Sequence, residues 1–345
     1  MKKANIINLI KYYAESNDSG FRNEAYQIAN EFDKLGDYQL SEYIMALLSN
    51  ANTFVPQINE ADLKFVRKVE VNGGEPLPLP EEIKSDVLGI VNATEHGIGV
   101  NKFLFQGAPG TGKTETVKHI ARILERELFI VDFALLIDSK LGQTGKNIAQ
   151  LFDEINNLLI PEKAVVLFDE IDALALDRTD SKDLREMGRA TTSVLKGLES
   201  LNDKILLIAT TNLYNHFDKA LVRRFDSVID FNRYSREELV DISEVILKYY
   251  LSKFKNATRN IRLFRKIISL MQVIPYPGDI KNIIKTSLAF SNPNDEFDYL
   301  RRLYAFASSD EDRNLKKLQN QGFTVREIEI LTGVSKSQVS RELKE

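Results

Sequence analysis

The chain has 345 residues, more than one ordinary hydrophobic core can organise, so two or three domains are expected. Its composition, 43% hydrophobic and 28% charged, is typical of a globular protein that folds in water. The formal net charge of −4 gives no general basic surface for nucleic acid, and the absence of cysteine excludes disulfides, thiolate metal sites and cysteine nucleophiles.

The first 55 residues carry three apolar patterns with helical spacing, separated by turn-forming residues at 16–20 and 35–37. They predict an N-terminal helical domain over 1–55. The apolar run at 6–10 is interrupted by Asn8 and is too short for a signal peptide or a membrane span. We therefore expect a cytoplasmic protein with no membrane association.

A linker is predicted over 56–80, because its glycines and alternating prolines cannot continue a helix. Five short apolar runs then alternate with helical stretches, a pattern typical of buried parallel strands with helical connections. The sequence therefore predicts an α/β fold with a parallel five-stranded sheet over 81–233, a helical lid over 234–292 and a C-terminal helical module over 293–345. The five runs are 103–105, 128–131, 165–168, 205–208 and 228–231.

The loop after the first run has the spacing of a Walker A motif in its strand–loop–helix context. Its glycines let backbone N–H groups close around phosphates, and the next helix points its positive end at them. Lys113 is expected to reach the β- and γ-phosphates of ATP, and Thr114 to bind Mg²⁺ through its hydroxyl. A purely structural glycine loop is the alternative. The nucleotide-binding residues are Gly107, Ala108, Pro109, Gly110, Thr111, Gly112, Lys113 and Thr114.

Two carboxylates follow the third run. Asp169, at the strand tip, is expected to hold Mg²⁺ through water. Glu170 is expected to polarise the attacking water, because the carboxyl end of a parallel strand faces the ligand crevice. The alternative is a strand that ends in a solvated turn. With the loop upstream, the pair predicts an enzyme that hydrolyses ATP as well as binding it.

These motifs, together with further segments, resemble the AAA+ ATPases of the P-loop NTPase superfamily over roughly residues 76–290. Residues 205–212 resemble the sensor-1 strand of that family. The resemblance implies that Asn212 helps Glu170 to orient water, and it implies a P-loop AAA+ core for the predicted α/β fold.

Residues 221–226 resemble the arginine-finger segment of the same family. The resemblance implies that Arg223 and Arg224 face the γ-phosphate bound by a neighbouring subunit. The two arginines are adjacent here, whereas the family usually separates them; we favour Arg224 as the finger, with Arg223 supporting it. The implied assembly is a homo-oligomeric ring, usually hexameric, in which each active site is completed by the next subunit.

Two weaker features belong to the same resemblance. Residues 277–281 resemble the start of the sensor-2 helix, which would make Lys281 a γ-phosphate contact; a solvated lysine is the alternative. Residues 139–145 occupy the position of the family's pore loop, which grips a threaded polypeptide, although a lysine replaces the usual aromatic residue. A flexible helix cap is the alternative. The pore-loop candidates are Lys140, Leu141 and Gly142.

The N-terminal helices, the segment 221–226 and the overall layout also resemble bacterial AAA+ ATPases that are paired with a subtilisin-like serine protease. Such pairs act in antiviral (anti-phage) defence. The resemblance implies a partner protease on a separate chain, and no catalytic triad is expected in this one.

Residues 321–341 resemble a helix-turn-helix. Thr324 and Glu327 have the spacing of a capping box, Gly333 supplies the turn, and Ser335 is expected to cap the second helix. Basic and acidic residues cancel over 310–345, so a protein-docking or purely structural module is the alternative to DNA binding. The side chains that a recognition helix would place in the major groove are Lys336, Ser337, Gln338 and Arg341.

Three functions are compatible with these features. The leading one is an ATP-driven remodeller or unfoldase of a protein substrate. The second is a DNA-associated ATPase that uses the C-terminal helix-turn-helix, and the third is a scaffold that uses ATP only as an assembly ligand. Glu170 and the arginine pair disfavour the scaffold, because a scaffold needs neither.

Overall fold

The computed structural model describes residues 3–48 except 16 and 35, 63–136 except 72–75 and 77, 143–174 except 159, 181–214, 218–308 and 314–344. The chain divides into two compact units, Met1–Asp62 and Leu63–Glu345. Within the described residues, no helix has both the length and the apolar content that crossing a bilayer would require.

The first unit contains helices, as the sequence predicts. Its small core is centred on the second helix, where Ala25, Ile28 and Ala29 are buried. The first helix contributes polar contacts to the second, because Asn8 donates a hydrogen bond to Glu24. The helices are α1 (Lys3–Ala14), α2 (Asp18–Lys34) and α3 (Tyr38–Leu48).

The second unit is built on a mixed sheet with the strand order β1-β3-β4-β5-β2-β6. Five of these strands are parallel and match the five apolar runs of the sequence. The two central strands β4 and β5 are buried along their whole length, because helices cover both faces of the sheet. The strands are β1 (Val66–Val69), β2 (Lys102–Gln106), β3 (Glu127–Val131), β4 (Ala164–Phe168), β5 (Leu206–Thr211) and β6 (Ser227–Asp230).

The prediction of five strands was wrong by one, since the described residues contain a sixth. β1 lies inside the predicted linker 56–80 and pairs with β3 in the antiparallel sense, with Val66 opposite Val131. Phe65 and Val66 are buried, while the next two residues carry charges that face solvent. A short edge strand with exposed lysine and arginine avoids pairing with other chains. The same charged residues interrupt the apolar pattern by which a strand is predicted from sequence.

Helices cover both faces of the sheet. α4 and α5 bury Ile83, Ile90 and Ile120 against one face. On the other face, the Phe152 ring of α7 stands edge-on to the Phe168 ring at the end of β4, with 5.7 Å between ring centroids. The helices of this part are α4 (Glu81–His96), α5 (Lys113–Ile123), α6 (Phe133–Leu136), α7 (Gln143–Asn156), α8 (Ser181–Glu199) and α9 (Lys219–Val222).

The remaining helices form the predicted lid and the C-terminal segment. The lid begins with a complete capping box, in which Ser235 and Glu238 bond each other's backbone N–H groups. A single apolar core runs from α10 through α16. The helices are α10 (Arg236–Leu251), α11 (Ile261–Leu270), α12 (Pro277–Ala289), α13 (Asp298–Ser308), α14 (Leu315–Asn320), α15 (Val325–Thr332) and α16 (Lys336–Glu342).

The last three helices are joined to the lid by polar contacts as well as by this core. The capping box of Thr324 and Glu327 is present, and the Glu327 carboxylate also accepts a hydrogen bond from Lys266 of α11 at 2.6 Å. Burial would raise the pKa of Glu327, but the bonds from Lys266 and Thr324 outweigh it and lower that pKa. Arg301 of α13 donates to the Ile330 carbonyl at 2.7 Å.

The start of α16 differs from the prediction in one detail. Gly333 ends α15 with a φ of 76°, as the turn requires. Ser335 stands at the N-cap of α16, yet in the described part of the chain its side chain makes no capping bond. Glu329 takes that role instead, because its carboxylate accepts from the Lys336 backbone N–H at 3.1 Å.

Candidate functional site

The predicted phosphate loop, residues 107–114, leaves the carboxyl end of β2 and enters α5. Gly110 and Gly112 have φ values of 79° and 95°, in the left-handed region that glycine tolerates best. At Gly107 a Cβ atom would lie 2.9 Å from the Phe231 Cβ, closer than such atoms approach. The glycines of the motif are therefore required by the backbone path, in addition to their predicted contact with phosphate.

Two side chains beyond β6 fasten this loop, and sequence reasoning missed both. The Asn232 side-chain oxygen accepts a hydrogen bond from the Ala108 backbone N–H at 2.9 Å. The Tyr234 hydroxyl donates to the Thr111 carbonyl at 2.7 Å. Burial raises the pKa of Tyr234, so its hydroxyl stays a donor. Their signal in the sequence is weak, because each acts on a loop more than 120 residues away.

The lid touches the same loop. The Gly278 backbone N–H donates to the Gly110 carbonyl at 2.8 Å. A Cβ at Gly278 would come within 2.9 Å of the Gly110 Cα, so only glycine permits this approach. α12 therefore begins directly against the phosphate loop.

Lys113 lies at the centre of the site and is 7% exposed. Its ammonium donates to the carbonyls of Gly107 at 2.6 Å and Ala108 at 3.0 Å, and to the side-chain oxygen of Asn212 at 2.8 Å. Burial lowers the pKa of Lys113, and the carboxylates that follow β4 oppose this shift. The structure thus brings the predicted Walker lysine and the predicted sensor-1 residue into contact.

The predicted metal ligands also lie together. The Thr114 hydroxyl donates to Asp169 Oδ1 at 2.9 Å, and the Thr210 hydroxyl donates to the same oxygen at 2.7 Å. Mg²⁺ prefers hard oxygen ligands and is usually held by one or two protein groups plus phosphate and water. The hydroxyl and carboxylate that meet here fit that ion.

Glu170 follows in a left-handed conformation, with a φ of 52°, which is uncommon for a residue with a side chain. Its backbone N–H donates to the Thr210 hydroxyl at 2.8 Å. The Asn212 side-chain amide lies 3.4 Å from Glu170 Oε1 and can donate to it. The predicted catalytic glutamate and sensor residue are therefore neighbours.

A third carboxylate, Asp172, belongs to the same cluster and was not singled out from the sequence. It is buried and accepts hydrogen bonds from the Thr211 hydroxyl and the Asn212 backbone N–H. Its spacing, three residues after Asp169, was the available signal. The spacing alone does not predict that the hydrogen-bond partners of Asp172 lie at the end of β5.

Part of the phosphate loop, the acid pair and Asn212 line a cleft of about 290 Å³. Lys281 of α12 lines it too, as does the apolar side chain of Ile246 on α10. Pro76 and Pro78, from the segment predicted as a linker, close another side of the cleft. The lining therefore comes from the phosphate loop, from the strand ends, from the lid and from the segment that precedes α4.

Neither Arg223 nor Arg224 is among the described residues that line this cleft. Both are exposed after α9. An Arg224 guanidinium nitrogen lies 2.5 Å from a Glu199 carboxylate oxygen at the end of α8, and the Arg224 side chain is 45% exposed. The two arginines are separate from the chain's own phosphate loop.

The other predicted site residues lie elsewhere. The pore-loop candidates fall outside the described residues. The candidates for DNA contact are exposed on α16, and Gln338 bonds Glu342 at 2.9 Å. The first set is Lys140, Leu141 and Gly142, and the second is Lys336, Ser337, Gln338 and Arg341.

Comparison with known proteins gives a consistent picture. A family model described as the ATPase family associated with various cellular activities (AAA) matches residues 103–233. The chain is 32% identical over 267 residues to y4kL, an uncharacterised AAA family ATPase of Sinorhizobium fredii, covering 69% of this chain and 75% of that protein. It is 30% identical over 200 residues to proteasome-activating nucleotidase 2 of Halobacterium salinarum, covering 54% of this chain and 46% of that protein.

The fold is also similar to a solved structure. A chain in the HORMA:CdnC:Trip13 complex of E. coli MS115-1 matches with a TM-score of 0.53 and 16% sequence identity. The match covers 67% of this chain and 88% of that one. The chain spans three quarters of the length of y4kL but less than half of the nucleotidase.

Proposed function

The chain belongs to the AAA family of ATPases, and from this premise we propose that it assembles into a homo-oligomeric ring that uses ATP hydrolysis to remodel or unfold a protein substrate. The observation that carries the proposal is the contact of Lys113 and Glu170 with Asn212, at 2.8 Å and 3.4 Å, in one cleft. A protein that only bound ATP would not need a carboxylate held in this way.

Each group has a distinct role in hydrolysis. The backbone N–H groups of residues 107–114 bind the phosphates, and the Lys113 ammonium moves from the loop carbonyls to the β- and γ-phosphate oxygens. Thr114 and Asp169 hold Mg²⁺, which when bound neutralises charge on the phosphate oxygens. Glu170 accepts a proton from the attacking water, and Asn212 orients the Glu170 carboxylate.

The ring explains the exposure of Arg223 and Arg224. A guanidinium that stabilises the transferring γ-phosphoryl group must approach a nucleotide, and these side chains do not line the described part of their own cleft. A neighbouring subunit would supply the nucleotide, and a head-to-tail interface that closes gives a ring, for which we propose six subunits. Arg224 would leave Glu199 on assembly, since an exposed ion pair contributes about 0–1 kcal/mol.

Mixing two inactive variants tests this arrangement. Arg224→Ala is expected to lower the ATP hydrolysis rate by about 10³-fold, because the transition-state charge loses its partner. Rings that mix Arg224→Ala with Glu170→Gln subunits should recover part of the activity, since some intact clefts then face an intact arginine. Phosphate release across mixing ratios is the measurement.

The matched comparison for that test is Arg223→Ala, which should lower activity less if Arg224 is the finger. Absence of any recovery in the mixed rings would mean that the arginine does not act on a neighbour. A larger loss for Arg223→Ala would exchange the roles of the two arginines.

The proposed substrate is a polypeptide, and a partner protease is a natural recipient of it. One relative is named as a proteasome-activating nucleotidase, which supports a link between this family and proteolysis. The residues proposed to grip the polypeptide are Lys140, Leu141 and Gly142, and antiviral defence is the proposed setting. ATP-dependent unfolding of a labelled protein, with and without a subtilisin-like protease encoded alongside, tests the proposal.

A second candidate function is ATP hydrolysis coupled to DNA, favoured by the exposed polar face of α16. Hydrolysis rates with and without duplex DNA, at low and physiological salt, distinguish it. If DNA is the partner, stimulation should fade with salt and disappear in a Lys336→Ala/Arg341→Ala variant. Such a variant is preferable to deletion of the terminal helices, because these complete the core of the lid.

A further inference from the structure

Asp172 is a buried carboxylate next to the catalytic cleft. It lies in the short 3-10 helix Ile171–Leu174 that follows the acid pair, and it is 7% exposed. Oδ1 accepts from the Thr211 hydroxyl, and Oδ2 accepts from the Asn212 backbone N–H at 2.8 Å. A buried charge is tolerated when hydrogen bonds satisfy it, and here each carboxylate oxygen accepts from one of two consecutive residues of another segment.

Those bonds lie at the carboxyl end of β5. Thr210 and Thr211 are consecutive in a strand, so their side chains point to opposite faces. Thr210 bonds Asp169 and the Glu170 backbone, while Thr211 bonds Asp172. The carboxyl end of β5 is therefore tied on both faces to the segment that carries the catalytic acids.

We call the hydrogen bonds of Thr210 and Thr211 to Asp169, Glu170 and Asp172 the clamp, and Asn212 is the next residue in the chain. Its side chain has Lys113 Nζ at 2.8 Å on one side and Glu170 Oε1 at 3.4 Å on the other. A side chain spans two partners in this way when its own backbone is fixed, and the hydrogen bond that the Asn212 N–H donates to Asp172 fixes it. A displacement of about 1 Å in a group that orients reactants can cost about 10²-fold in rate.

We propose that Asp172 is a positioning residue for ATP hydrolysis: it fixes the backbone of Asn212 so that the amide reaches Glu170. This inference rests on the proposed function, because it requires Asn212 to act in hydrolysis. Asp172 touches neither phosphate nor water in this scheme. Its removal should therefore lower kcat and leave ATP binding nearly unchanged.

Two substitutions separate the roles of the carboxylate. Asp172→Asn removes the charge but keeps one oxygen that can accept from the Asn212 N–H. Asp172→Ala removes both the charge and the bond.

The experiment measures kcat and KM for ATP in Asp172→Ala, Asp172→Asn, Asn212→Ala and the Asp172→Ala/Asn212→Ala double variant. Asp172→Ala should lower kcat by about 10- to 100-fold with less than about a twofold change in KM, and Asp172→Asn should lower kcat much less. Because Asp172 acts through Asn212, the double variant should have the kcat of Asn212→Ala alone. Asp153→Ala, at an exposed position of α7, is the control.

If the two effects multiply in the double variant, Asp172 acts independently of Asn212 and the inference is wrong. A rise in KM for Asp172→Ala with kcat unchanged would also overturn it. An Asn212→Ala chain that hydrolyses ATP normally would instead show that the proposed role of Asn212 fails. Thr211→Val removes one Asp172 partner from the other side, and a kcat equal to that of the unsubstituted chain would contradict the clamp even if Asp172→Ala cannot fold.

Discussion

Glu170→Gln is expected to lower the ATP hydrolysis rate by about 10²- to 10⁴-fold, because the amide cannot accept the proton of the attacking water. ATP should remain bound, since the phosphate loop and Lys113 are unchanged. The oligomer should become more stable in ATP, because ATP that is not hydrolysed stays bound at the proposed subunit interfaces. Phosphate release, nucleotide retention and the elution volume in ATP measure the three effects.

The control for this variant is Glu95→Gln, at an exposed position of α4 far along the chain from the acid pair. It should leave all three quantities unchanged. Normal hydrolysis by Glu170→Gln would remove Glu170 as the catalytic base. Loss of bound ATP in that variant would indicate a role in binding instead.

Lys113→Ala should weaken ATP binding itself, by about 10- to 100-fold, which corresponds to the loss of about 1.5–3 kcal/mol of charge-assisted hydrogen bonding. The same change leaves the Gly107 and Ala108 carbonyls without their donor, so the loop should also lose order. Fluorescence titration with a labelled ATP analogue measures the affinity.

Lys118→Ala is the matched control, because Lys118 lies on the same helix and pairs with Glu115 at 2.6 Å. Its affinity for ATP should stay within about twofold of the unsubstituted chain, since an exposed pair contributes little. Equal affinities of Lys113→Ala and Lys118→Ala for ATP would contradict the assignment of the phosphate loop.

The parts of the site that the sequence predicts are local in the chain. The glycine spacing of residues 107–114 predicts the backbone path of the phosphate loop. A buried strand followed by Asp169 and Glu170 places their carboxylates at the carboxyl end of that strand. The parallel order of the strands then brings Asn212 beside them, because the carboxyl ends of β2, β4 and β5 share one edge of the sheet.

The parts that the sequence did not predict depend on contacts between distant segments. Val66 is the one buried residue of β1, so this edge strand shows no apolar alternation in the sequence. Asp172 has partners about 40 residues away, and they are known only once β4 and β5 are paired. The adjacency of Arg223 and Arg224 cannot identify the finger, since in the proposed ring its target would lie on another chain.

The core that the lid shares with the terminal helices also has a thermodynamic consequence. α12 begins against the phosphate loop at Gly278, and α16 is buried through Val339 in the same apolar core as α12. A nucleotide that tilts the lid therefore carries α16 with it. If a bound nucleotide raises the affinity of α16 for a macromolecule by some factor, then by reciprocity that macromolecule raises the affinity for the nucleotide by the same factor. A partner of the terminal helices would thus be an allosteric effector of ATP binding without touching the nucleotide.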